Sequence, residues 1–252
     1  MAFMSGQSND LCSKHGMTSY SAPSGSATLL AMHPYLQPLE EHFRLAANPT
    51  NAAAMQRYMK YVAPFFGLKT PIRRTLLHAH VKQQGLPPMA ELPAIVRSAF
   101  SQCEREWHYS GMDLLMSMAK KLGPEHLPLL EELITTKSWW DTVDALATNV
   151  VGVVLKRHPK EIPYWNEHWV MGEDMWLVRT SILFQLKWKH DTDQALLFGN
   201  IERHAGHRDF FIRKAIGWAL RQYGRTDPEA VRAFVETRTL SPLSVREALR
   251  SL

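Results

Sequence analysis

Asp174-Met175-Trp176-Leu177-Val178-Arg179 and Asp209-Phe210-Phe211-Ile212-Arg213-Lys214 carry the reading of the fold. Each opens on an aspartate, runs through apolar residues and ends on a cation, and the second begins 209 − 174 = 35 residues after the first. Trp188 falls on Tyr223 at the same offset, and Asp144 precedes Arg179 by 179 − 144 = 35. A period near 35 has room for two helices per unit, which is the mark of an α-solenoid. It predicts that Asp144, Arg179 and Lys214 occupy equivalent positions in consecutive repeats.

Outward from these segments the chain reads helix after helix. Thr70-Pro71 predicts a cap followed by proline at the first helical position, and Gly85 closes that segment. Gly123-Pro124 and His158-Pro159 are breaks, Asp209 precedes an apolar run, and Asp227-Pro228 opens another helix. No alternating run bounded by turn chemistry calls for a strand. The expected fold is all-α: a right-handed α-solenoid of HEAT-like helical repeats, about a dozen helices joined by short connections. Residues 1–31 differ, with seven serines, three glycines and no helical period. They read as a flexible tail and not as a signal peptide, since no continuous apolar stretch follows a basic start. The folded domain is expected over 32–252, and Met32 is itself a candidate start.

The 252 residues are 45% apolar and 21% charged, ordinary for a globular protein. Net charge is +5, which leans toward an anionic partner. From Ile201 to the C-terminus ten Lys/Arg face six Asp/Glu, so 10 − 6 = +4 lies in the last fifth. Cys12 and Cys103 form no CxxC pair, which argues for a reducing, cytoplasmic setting and against a zinc ribbon or disulfide scaffold. His78 and His80 diverge on a helix, and there is no HExxH, so no metal and no cofactor is expected. No apolar run reaches the length of a membrane span, and Ala145–Leu155 better fits a buried helix.

Lys137-Ser138-Trp139-Trp140-Asp141-Thr142-Val143-Asp144 puts two tryptophans and two carboxylates at one helix start. Trp140 and Asp144, four apart, share a face, and an acid beside an indole suits a cation. Ser138 is expected as the N-cap, with Asp141 completing a capping-box variant. Asp144 lies further in, on an apolar helix, where a carboxylate needs either a cationic partner or a cavity. Arg179 of the next repeat is the candidate partner, and it is also a candidate phosphate contact. Trp218 is flanked on its own face by Lys214 and Arg221. Trp139, Trp165, Trp169, Trp176 and Trp188 are assigned to packing.

KSWWDTVD (137–144), MWLVRTSILFQLKWK (175–189) and FFIRKAIGWALRQY (210–223), with RYMK (57–60) and TPIRR (70–74), closely resemble the AlkD family of DNA alkylation repair glycosylases. The resemblance runs from Met32 to the C-terminus. It implies a HEAT-like solenoid that holds duplex DNA in a basic groove, as a monomer, and excises N3- and N7-alkylated purines. It also implies that Asp144 is the catalytic carboxylate, with Trp140 and Trp218 as aromatic walls beside the lesion and Arg179 next to the acid. Tyr58, Thr70, Arg74, Lys187, Lys214 and Arg221 fall at positions expected to contact the DNA backbone. Two other readings stay open: a non-catalytic HEAT-like module binding DNA or protein, and a bifunctional glycosylase–lyase using Lys214 or Lys137 as a Schiff-base amine. A metal-dependent nuclease lacks clustered carboxylates.

Overall fold

The computed structural model describes residues 32–250; the expected tail, 1–31, lies outside the described residues. Every regular element among them is helical. The chain divides after Gly111 into two compact units.

The first unit contains α1 (Gln37–Leu45), α2 (Pro49–Tyr58), α3 (Thr70–Gln84) and α4 (Leu92–Ser101), while α5 (Arg105–Met118) crosses the division. Asn48 caps α2 by accepting the Asn51 N–H at 2.9 Å, with proline following at the first helical position. Thr70 is not the cap expected of it. Lys69 takes that place, and Pro71 sits one position further in. The one-residue shift costs little, because the first N–H groups of a helix have no internal partner in either register. Gly85 ends α3 as expected, at φ +80°. Phe43, Phe66 and Trp107 pack ring against ring, with centroids 4.8–6.4 Å apart. Beneath them the buried Glu106 carboxylate accepts the N–H groups of Phe66, Gly67 and Leu68 at 2.9–3.1 Å. These fix the loop ahead of α3, and Gly67 is required there, since an added Cβ would stand 2.1 Å from the Asn48 carbonyl oxygen.

The second unit is a run of helix pairs. Its first helices are α6 (Leu127–Thr135), α9 (Ile162–Val170), α11 (Gln194–Arg203) and α13 (Pro228–Thr237). Its second helices are α7 (Trp140–Leu146), continued through a π-turn (Ala147–Val151) into α8 (Gly152–Arg157), then α10 (Met175–Leu183), α12 (Phe210–Tyr223) and α14 (Pro242–Ala248). The N-caps of the second helices are Trp139, Asp174, Asp209 and Ser241, at spacings of 174 − 139 = 35, 209 − 174 = 35 and 241 − 209 = 32. The predicted period is therefore the structural period. Asp174, Asp209 and Asp227 accept the backbone N–H groups that helix starts leave unsatisfied.

The first helices carry the same period in a different currency of contacts. Glu131 meets His168 at 3.1 Å, Glu167 meets Arg203 at 3.4 Å, and Glu202 meets Arg238 at 2.5 Å. Each acid reaches a base one repeat later. Behind this exposed row, Asn166 and Asn200 exchange amide hydrogen bonds while buried, and Asn200 also donates to the Ser181 carbonyl at 2.9 Å. Leu146, Ala147, Val150, Val151, Val154 and Leu155 are fully buried, as the apolar run 145–155 predicts. Gly152 lets that helix approach α10 closely: an added Cβ would meet the Phe184 carbonyl oxygen at 2.1 Å. Trp188 closes the same contact by donating its indole N–H to the Gly152 carbonyl at 3.0 Å.

Candidate active site

α7 begins directly at Trp140. Ser138 is not its N-cap. Trp139 holds the cap position in extended backbone, with no side-chain hydrogen bond to the helix. The Ser138 hydroxyl turns back and donates to the Ile134 carbonyl at 2.7 Å, terminating α6. In a connection this short the free carbonyls of the preceding helix are nearer to that hydroxyl than the N–H groups ahead. Asp141 lies in the first turn, where its charge complements the helix macrodipole.

Trp140 and Asp144 follow on one face, each partly exposed. Arg179, on α10, grips the Asp144 carboxylate at both oxygens: Nε to Oδ1 at 2.6 Å and Nη2 to Oδ2 at 2.8 Å. Its Nη1 donates to the Phe211 carbonyl at the start of α12. Three consecutive second helices thus meet at one guanidinium. Arg179 is only 4% exposed, whereas the Asp144 side chain keeps 15% of its surface open. The geometry carries the ion-pair role of Arg179, each of whose three nitrogens already holds an acceptor within the protein.

An aromatic cluster sits at the starts of α7, α10 and α12. Trp139, Trp176 and Phe211 have centroids 5.0–6.0 Å apart. Burial pushes the Asp144 carboxyl above the usual aspartate range, with Asp141 adding to that rise, while the Arg179 hydrogen bonds and charge pull it back. A guanidinium cannot give up its proton at ordinary pH, so the bidentate contact favours the carboxylate. What results is a fixed anion with open lone pairs on one side.

Trp218 stands on α12, partly buried against the apolar core of this unit. Lys214 and Arg221, on its own face, both turn to Glu247 of α14, at 3.0 and 2.8 Å. The expected basic flank is therefore tied down by a single acid that sequence reading passed over. That acid depends on close helix packing. A Cβ on Gly217 would lie 2.5 Å from the Glu247 Cβ and 2.8 Å from the Ser244 carbonyl, and Ser244 donates to the Arg213 carbonyl at 2.9 Å. Both cations hold the Glu247 carboxyl below its ordinary range. Lys187 is exposed and donates to Asn149, inside the π-turn that follows Asp144. Asn149 in turn donates to Thr148 Oγ at 3.2 Å, and Thr148 donates to the Asp144 carbonyl at 2.8 Å. A π-turn at a functional site is a common association.

Tyr58, Thr70 and Arg74 lie in the first unit and are exposed, Tyr58 by 73%. The structure brings Asp144 and Arg179 into contact, holds Lys214 and Arg221 on one carboxylate, and keeps these three on a separate unit. Of the packing tryptophans, Trp169 is fully buried with its N–H on Glu131 at 2.8 Å, and Trp188 is 8% exposed. Sequence reading also passed over a charge signal. Between Glu41 and Glu91 there is no acid, and Arg44, Arg57, Lys60, Lys69, Arg73, Arg74 and Lys82 give +7. Among the described residues no group of three or more His, Cys, Asp or Glu is placed to hold a metal ion, and no helix is long and apolar enough to cross a membrane.

Among solved structures the chain is similar to a predicted DNA alkylation repair enzyme from Enterococcus faecalis, with 32% identity and a TM-score of 0.77 over 82% of this chain and 96% of that one. No curated protein matches. A family model for DNA alkylation repair enzymes matches residues 39–252. The chain belongs to the DNA alkylation repair enzyme family.

Proposed function

We propose that residues 32–252 act as a monomeric, monofunctional DNA glycosylase that removes positively charged N3- and N7-alkylated purines from duplex DNA. The observation that carries this is the Asp144 carboxylate, oriented at both oxygens by Arg179 yet partly open to solvent beside Trp140.

The chemistry suits a single carboxylate. Glycoside cleavage ordinarily uses two, one of them to protonate the leaving group. An alkyl group on N3 or N7 already makes the purine cationic, so the base departs neutral without that proton. As the glycosidic bond lengthens, positive charge develops at C1′ of the deoxyribose. A preorganised anion in a water-poor setting stabilises that charge, and the same carboxylate orients the attacking water. Arg179 serves as a positioning residue for Asp144. Trp140 and Trp218 would pack on the lesion nucleotide, each worth about 1 kcal/mol toward the developing cation. Selection by lesion charge removes the need for a deep base-reading pocket, in contrast to enzymes that flip the base into one.

Release of 7-methylguanine from methylated duplex DNA tests the reading. Asp144→Asn keeps the shape and one acceptor for Arg179, and its single-turnover rate should fall by about 100-fold or more, the usual loss when a charge-stabilising group is removed. Equal rates would remove Asp144 from catalysis. No release by the wild type would leave the non-catalytic binding module.

A further inference from the structure

α2 ends in a backbone conformation that its residues do not favour. The Tyr61 N–H bonds the Gln56 carbonyl at 2.8 Å and the Lys60 N–H bonds the Arg57 carbonyl at 3.2 Å. This is the Schellman pattern, which needs one left-handed residue, usually glycine, directly after the cap. Here that residue is Lys60, at φ +59°, and Tyr61 follows at φ +58°. Two consecutive side-chain-bearing residues in the left-handed region oppose folding. In a Schellman end the residue at the Tyr61 position ordinarily packs on the residue at the Gln56 or Met55 position. Gln56 is polar and Met55 half-buried, and Tyr61 is 58% exposed, so such packing leaves most of the ring in solvent. Arg57 and Lys60 complement the negative end of the helix dipole, which accounts for cations here but not for an exposed aromatic ring in a disfavoured backbone.

The surroundings indicate the partner. Two exposed tyrosines, Tyr58 and Tyr61, alternate with Arg57 and Lys60 in five residues, inside the acid-free stretch from 42 to 90 that carries +7. Exposed rings interleaved with cations and no acid fit a polyanion that also offers flat or apolar faces, which is nucleic acid. We propose that Lys60 and Tyr61 form a duplex-DNA contact, the ammonium on a phosphate and the ring against the sugar and base edges beside it. The inference rests on the glycosylase reading for its ligand and adds residues that the family resemblance does not assign.

Fluorescence anisotropy with a labelled, unmodified duplex, paired with thermal melting, tests it on the full chain. Tyr61→Gly removes the ring and suits the backbone, so it should raise the melting temperature while weakening DNA binding about tenfold, the loss of one ring contact. Tyr61→Phe should bind within about twofold of wild type, because the ring remains. Lys60→Gly should also melt higher and should flatten the log–log salt dependence by about one unit. A Tyr61→Gly protein that binds as tightly as wild type, or that melts lower, overturns the contact and leaves the glycosylase reading intact. A wild type that binds no duplex overturns both.

Discussion

At the residue scale, Asp144 lies between opposing influences, and their balance is measurable. Burial raises its carboxyl and Arg179 lowers it. Catalysis needs the carboxylate, so activity is lost as pH falls through the folded-state value. Because burial is the larger influence, the acid limb of the excision profile should lie above the ordinary aspartate value of about 3.9. Arg179→Gln removes the lowering influence and keeps a hydrogen-bond donor, so the limb should move to still higher pH. A limb that stays in place would mean that Arg179 does not set the ionisation of Asp144. The pairing itself was legible: 35 residues separate two opposite charges on apolar helices, and each needs the other. That the grip is bidentate, with the third nitrogen on the Phe211 carbonyl, was not legible, because backbone carbonyls are present at every position.

At the element scale, the helix carrying Asp144 is shaped by its continuation. The π-turn at Ala147–Val151 and the close approach at Gly152 set how α7 and α8 lie on α10. Gly152→Ala would push a methyl against the Phe184 carbonyl and disturb the hydrogen bond from Trp188. It should lower stability by about 1–3 kcal/mol, read from urea denaturation, as overpacking in a dense core does. An unchanged midpoint would show that the two helices can part without loss. Helix starts were legible where aspartate or proline marks them, as at Asp174, Asp209 and Asp227. Ser138 misled because a serine hydroxyl can serve the helix behind it as well as the one ahead.

For the whole molecule, formal charge and available charge differ. The last fifth of the chain holds +4, yet Lys214 and Arg221 there converge on Glu247. The acid-free stretch from 42 to 90 holds a formal +7, of which Arg44 pairs with Glu40 at 2.6 Å and Arg73 is buried. Glu247→Gln removes the negative charge shared by the two cations, so it should steepen the salt dependence of duplex binding by about one to two phosphate equivalents. An unaltered slope would place Lys214 and Arg221 away from the DNA. Composition revealed the sum of these charges but not their partners, since Glu247 lies 33 residues from Lys214 and 26 from Arg221 (247 − 214 = 33; 247 − 221 = 26).

The sequence alone determined the all-helical class and the 35-residue period, carried the family resemblance, and offered Arg179 as the candidate partner of Asp144. The class, the period and the candidate pairing follow from local chemistry: caps, breakers, apolar spacing, and the need of a charge on an apolar helix for a partner; the family rests on the resemblance of its motifs. Only the tertiary structure decided which donors serve which acceptors. Ser138 serves α6 where α7 was expected, Arg179 joins three helices, and Glu247 takes two cations because packing at Gly217 brings α14 against α12. The contacts of Arg179 and Glu247 join residues more than two dozen positions apart along the chain, where local propensity carries no information.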